Sequence, residues 1–341
     1  EIEAVTGVQT CALPIYDIHF AGLAGGLDFS WQDEWFKRTW NNNDLDIPDS
    51  RPFWLNAQTN EQHFGLLALD PGNKKSICYI DGSFDDWVKD KPLVSAHNTK
   101  LYVKSDEGYF YLMIDAKKYD FNKDTLLLPI DTIKGQGNKS FSKYKTSFGS
   151  AADFVIKIHG KNDSHVLVDA YYDNYYFRYG VETSLINTNP LFENKNSGIF
   201  NPIMLCLNKK LVVPGKNTVI PFAGYETGLL KYGTANPDNS NFNSLSDFNY
   251  NNGKLEIRIP WQLLNVMDPA GKYVIDDMYG RGKISPLAVN GFSFGVANMK
   301  NSGTKDLIMN EYDWKSWDQP TYHERLKPSY YILQKGLQKL N

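Results

Sequence analysis

The chain has 341 residues, room for one large or two ordinary domains, and a formal net charge of −3 that leaves no basic footprint for nucleic acid. No stretch approaches the roughly 18 apolar residues of a spanning helix, so any membrane anchor or export signal is expected in a part of the gene upstream. Aromatic residues make up 14%, with 21 Tyr and 8 Trp, which suits flat polar sugar faces and suits equally a turn-rich β protein.

Residues 5–15, VTGVQTCALPI, resemble the in-frame translation of a short-read library adapter, and Glu1-Ile2 fits its flanking part. The stretch offers no initiator Met, no basic start and no apolar run long enough for a secretory signal. Residues 1–15 are therefore expected to form no domain, and the natural chain to begin upstream of about Tyr16. Cys11 falls with the adapter. Cys78 and Cys206 each sit in an apolar run, which points to buried thiols rather than a disulfide.

Residues 17–23 read as a helix end stopped by Gly25-Gly26, and Leu27, Phe29 and Trp31 alternate as a short strand. A polar and aromatic cluster follows over 32–40. Within it Asp33 and Glu34 are the only carboxylate pair in an aromatic setting. A glycosidase needs two carboxylates about 5 to 9 Å apart, and neighbours on one strand or helix point apart, so these two are not that pair. One of them is a candidate supporting residue; the other reading is a solvated helix start. Trp31, Trp35, Trp40 and Trp54 offer indole faces to pyranose rings or to a packed interior. His63-Phe64-Gly65-Leu66-Leu67 leads into a turn at Asp70-Pro71-Gly72.

From residue 76 onward the pattern is one of short strands between turn signals. Asp81, Asp85 and Asp86 crowd a Gly-containing turn. Calcium takes at least about six oxygen ligands and the spacing is not that of an EF-hand, so an Asx-type turn folding Trp87 into the core is the stronger expectation. Strands are expected at 101–103, 109–114, 125–131, 154–158, 166–172, 175–179, 203–207, 255–259 and 292–296, with Asp173-Asn174 as a hairpin turn. Helix is scarce, with 261–266 and 332–340 as the main candidates. Residues 182–250 read as long loops with one or two strands, and loops of that length often carry function. Tyr225 lies among them and is a candidate ligand contact. Trp314 and Trp317 would share one face of a helical turn; they form either a ligand surface or a lock for the C-terminal segment. The six His show neither HExxH nor paired spacing, and no nucleophile elbow or phosphate-cradling loop is present, so no cofactor other than calcium is suggested.

Four short motifs follow in order: Ile80-Asp81-Gly82 through Asp85-Asp86-Trp87, Leu128-Pro129-Ile130-Asp131-Thr132, Ala152-Asp153-Phe154-Val155-Ile156, and Glu256-Ile257-Arg258-Ile259-Pro260-Trp261. Their order and spacing resemble the family-nine carbohydrate-binding modules and their DOMON-like relatives, over about 80–300 with a departure at 182–250. That resemblance implies a β-sandwich that binds sugars, haem or other small ligands, sometimes with calcium. The tryptophan pair that clamps a sugar in such modules has no match here. Residues 25–35 resemble the eighth strand of glycoside hydrolase (β/α)8 barrels, and 63–67 the segment after it. This implies a Trp on the floor of a sugar site, with catalytic carboxylates on earlier strands, upstream.

The expected fold is mainly β: a jelly-roll-like β-sandwich with long loops over 73–341, preceded over 16–72 by a short α/β remnant of a truncated (β/α)8 barrel. The expected function is a non-catalytic, sugar-recognising or structural sandwich at the C-terminus of an extracellular or cell-surface carbohydrate-active protein. The alternative is part of a glycoside hydrolase. Carbohydrate and an N-terminal domain of the same chain are the expected partners.

Overall fold

Runs of Leu, Ile, Val and Phe with a two-residue period build the main strands, and the fold is mainly β, 35% strand against 16% helix. The computed structural model describes residues 29–96, 98–216, 218–299 and 306–338. The adapter-like stretch, the helix end at 17–23 and the start of the strand expected from Leu27 lie outside the described residues.

Two sheets hold most of the strands. One is five-stranded and antiparallel, in the order Phe248–Asn251, Lys254–Pro260, Tyr109–Ala116, Thr99–Ser105 and Val94–Ala96. The other is seven-stranded and runs Phe200–Pro202, His165–Asp169, Phe154–Ile158, Leu126–Asp131, Phe292–Gly295 and Met309–Tyr312, with Ala297–Asn298 also on Leu126–Asp131. Phe110, Leu112, Ile114 and Ile257 from the first sheet and Leu128, Ile130, Phe154, Ile156 and Phe294 from the second lie in one buried cluster. Burying each such side chain contributes about 1.5–3 kcal/mol. Two sheets that share a core in this way are consistent with a β-sandwich.

The outer faces are covered as well. The sequence predicts a half-buried strand at 109–114, yet Tyr111 and Met113 pack beneath Cys78, Ile80 and Trp87. On the seven-stranded sheet, Leu127 and Val155 pack beneath Phe141, Phe148 and Phe200. Phe141 and Phe148 belong to a hairpin of Asn138–Phe141 with Thr146–Ala152. Cys78 and Cys206 are buried free thiols.

Helix replaces strand at 175–179. The Asp173 carboxylate accepts the Tyr176 N–H at 3.1 Å and caps the turn Asn174–Tyr176, which continues into a π-helical stretch, Phe177–Glu182. Asp173-Asn174 therefore starts a helix rather than closing a hairpin. The strand before it stops at Asp169 for a related reason: Asp169 Oδ1 accepts the Tyr171 N–H. The helix expected at 261–266 is a 3-10 turn, Trp261–Leu264, ended by Asn265 at a φ of 56° and followed by the strand Val266–Asp268. The last helix starts earlier than expected, at Pro328–Gln338, with proline in the first turn where its missing N–H costs nothing.

Residues 29–66 hold a 3-10 turn, Pro48–Phe53, and otherwise turns and loops, with no strand. They are nonetheless tied to the rest. Leu45 and Trp54 join the common core. The Ile47 N–H donates to Met267 O at 3.2 Å, and Arg178 Nη1 donates to Asn41 O at 2.8 Å. Leu67–Pro71 then pairs antiparallel with Tyr322–Leu326, close to the C-terminus.

Candidate functional site

Strands Phe154–Ile158 and His165–Asp169 pair so that Lys157 stands opposite His165, and Val155 opposite Leu167. Alternation sends Phe154, Ile156 and Ile158 into the common core and leaves Lys157 and His165 on the outer face. Lys157 and His165 thus stand directly opposite each other, and the intervening loop supplies one carboxylate to both. Asp163 Oδ1 receives both Lys157 Nζ and, at 2.9 Å, His165 Nε2. The other ring nitrogen, Nδ1, lies 2.6 Å from Glu226 Oε1, on the strand Ala223–Glu226. One imidazole thus joins two carboxylates.

These groups line one side of a groove of about 430 Å³ whose other walls are Phe141, Ser142, Tyr144, Leu167 and Phe200. Phe141 meets Tyr144 at 5.0 Å and Phe200 at 4.9 Å between ring centroids. The wall depends on Gly198, whose φ is 71° and where a Cβ would fall 2.3 Å from Ser142 Oγ; only glycine allows the loop to lie so close to the Ser142–Tyr144 turn. Burial raises the Asp163 carboxyl, but Lys157 and His165 outweigh it and hold it below the usual carboxylate range. Burial, and then Asp163, push the Tyr144 phenol upward, so it remains a neutral O–H at ordinary pH. The groove therefore offers an ammonium donor, two carboxylate acceptors and a phenol beside apolar rings, the mixture a hydroxyl-rich ring with apolar C–H faces requires.

The residues singled out from sequence lie elsewhere. Trp31 is 57% exposed and sits edge-on to Tyr330. Trp35 is half-buried against Leu55, Leu67 and Leu69. Trp40 is exposed, with the Lys209 ammonium 5.3 Å from its ring. Asp33 is buried; it accepts the Gly65 N–H at 3.0 Å and Lys327 Nζ, and burial raises its carboxyl to about 6 against the pull of Lys327. Glu34 pairs with Lys37 at 3.1 Å. Tyr225 is exposed and neighbours Glu226 on its strand, so the two point to opposite faces.

One expectation needs correction. Residues 313–317 are not helical, so Trp314 and Trp317 share no helix face. Trp314 is 4% exposed, with its rings against Phe110, Phe292 and Trp261 and its indole N–H on Pro269 O, which leaves no face for a sugar. Trp317 is half-buried and donates to Phe53 O at 2.7 Å, which ties the C-terminal segment down. Asp81, Asp85 and Asp86 sit in an Asx-type turn, and their carboxylates are taken up by nearby groups. Asp81 takes the Ser83 N–H, two residues on, and Asn236 Nδ2; Asp85 takes the Ser83 hydroxyl; Asp86 takes the Tyr79 N–H. No group of three metal-ligating side chains converges among the described residues.

The groove residues themselves give little signal in the sequence. Lys157, a lone charge in an otherwise apolar strand, is the one local cue. Glu226 is 61 residues from His165 and meets it only through the fold. The chain matches no family model, no curated protein and no solved structure.

Proposed function

We propose that residues 73–341 form a jelly-roll-like β-sandwich that recognises carbohydrate without catalysis, as the C-terminal part of an extracytoplasmic carbohydrate-active protein. The sugar site is the groove of Tyr144, Lys157, Asp163, His165 and Glu226. The observation that carries this reading is the alternation of donor and acceptor groups around His165 beside the Phe141–Tyr144–Phe200 rings. A glycan array probed with the chain tests it, followed by calorimetry on each hit. The expected result is modest binding to a defined saccharide that is lost in Tyr144→Ala. A folded chain that binds no glycan favours a purely structural sandwich.

One observation favours the second reading, in which residues 16–72 are the end of a glycoside hydrolase barrel. Gln32 bridges Leu67 in parallel, as neighbouring barrel strands do, and exposed Trp31 lies beside that bridge. Restoring the upstream reading frame and assaying hydrolysis of the array-positive glycan tests it; Trp31→Ala should then raise KM.

A further inference from the structure

Beyond Asn208 the polypeptide that carries Glu226 extends into solvent as a hairpin. Leu211–Val212 pairs with Val219–Ile220, and the Lys216 N–H closes the turn on Val213 O at 3.2 Å. Leu211 lies opposite Ile220, and Val212 opposite Val219. Neighbours on a strand point to opposite faces, so one apolar pair stands on each face. Leu211 is 54% exposed, Val212 60%, Val219 51% and Ile220 40%, and none belongs to a buried cluster. Leu207 and Tyr225, both exposed, extend the strip toward the base. Exposed apolar residues scattered singly are ordinary; a contiguous set marks a surface that meets something.

Charge says what it meets. From Ile203 to Tyr225 the chain has no Asp or Glu, and it has Lys209, Lys210 and Lys216. All three lysines are exposed, and none makes an ion pair with a described residue. Trp40, exposed beneath the Lys209 ammonium, adds an indole of the kind that settles at headgroup level. An anionic lipid surface combines these demands, with phosphates outside and acyl chains just below. A second copy does not, because it would bring the same lysines against each other with no acid on either arm.

We propose that this hairpin docks on an anionic lipid bilayer, dipping its turn end into the interface so that both of its apolar faces are covered. Leu211, Val212, Val219 and Ile220 enter the headgroup–acyl boundary, and Lys209 and Lys210 face the lipid phosphates. Lys216, at the turn, reaches back to the same level along its flexible stem. The groove faces a separate ligand, and this docking does not depend on it.

The test is co-sedimentation of the full chain with vesicles of phosphatidylcholine alone and of phosphatidylcholine mixed with phosphatidylglycerol in equal parts. Binding is expected to the mixed vesicles only, and to weaken with salt. Lys209→Gln with Lys210→Gln should weaken it roughly 25-fold, at about fivefold for each lysine. Val212→Ser with Ile220→Ser should abolish it without lowering the melting temperature, since neither side chain touches a core. Failure to bind mixed vesicles at low salt overturns the proposal, as does binding unaffected by both double variants. Lipid-free self-association that Val212→Ser with Ile220→Ser removes also overturns it, in favour of a second copy.

Discussion

Lys157 and His165 face each other across two neighbouring strands, and Asp163, from the loop that joins those strands, bonds to both. The opposed pair is thereby joined into a three-centre cluster, and Glu226 closes its far side. The loop is short and its ends are fixed by the ladder, so Asp163 has little freedom to leave. A ligand in the groove meets preset donors and acceptors and need not order them, which favours affinity.

If the groove binds sugar, Tyr144→Ala should weaken binding by about 1–3 kcal/mol, the order expected for loss of a buried aromatic face. Asp163→Asn should weaken it too, because Lys157 and His165 lose their common partner. Leu211→Ser, on the exposed hairpin, should leave it unchanged. Calorimetry against an array-positive glycan distinguishes the three. Equal losses in all of them would remove the groove from consideration.

Glu256 makes stability depend on pH. Its carboxyl is fully buried and accepts the Asp81 and Gly82 N–H groups through Oε1. Burial raises it to about 8, despite those two bonds and with help from the Asp81 and Asp86 charges. Between its ordinary value and about 8 the unfolded chain has released the proton and the folded chain keeps it. The folded state binds more protons there, so stability falls as pH rises, by at most about 1.4 kcal/mol per unit. Glu256→Gln keeps the Oε1 acceptor and removes the titration. Its melting temperature should drop less than the parent's between pH 6 and 8, and identical slopes would exclude Glu256 as a source.

Two buried tryptophans should respond differently to phenylalanine. Trp261 packs on Phe110 and Trp314 and donates its indole N–H to Asp106 O at 2.9 Å. The indole nitrogen of Trp87 is buried without a hydrogen-bond partner. Replacement of either by Ala should cost about 3–5 kcal/mol. Trp261→Phe should cost about 1 kcal/mol more than Trp87→Phe, because it leaves the Asp106 carbonyl unsatisfied. Denaturant midpoints measure the difference, and the reverse order would contradict it.

One ion pair lies within the two-stranded pair near the C-terminus and a second lies beside it. Arg325 grips Asp70 through Nε and Nη2, and Lys327 reaches Asp33. Asp33→Ala leaves the Lys327 ammonium partly buried and unpaired, at about 1–3 kcal/mol. Amide exchange should speed up at Leu67 and Leu69 and stay slow at Leu112 and Leu128. Uniform acceleration at all four would mean that the pair is not a separate unit.

The strands of the two larger sheets were legible because alternation in Phe154, Ile156 and Ile158 has one physical meaning. The stretch from Tyr175 to Tyr179 was not, because aromatic residues suit strands and the deciding contact is a cap from Asp173. Trp314 stands out in the sequence by its indole, and an indole fills a core as well as it faces a sugar; burial depends on neighbours such as Phe110 that are distant in sequence. The segment from Trp31 to Trp54 carries strand-like aromatics, yet its order comes from isolated contacts, Leu45 and Trp54 in the core and the bonds Asn41 to Cys206 O and Arg178 to Asn41 O, which leave no periodic trace. His165 and Glu226 met only after folding.

The pairing of Leu67–Pro71 with Tyr322–Leu326 also has a mechanical side. Leu67 pairs with Leu326, so the segments leading away from the pair depart from the same end of the ladder. Tension between them loads the cross-strand bonds one after another rather than together, the geometry of a zipper and not of a lap joint.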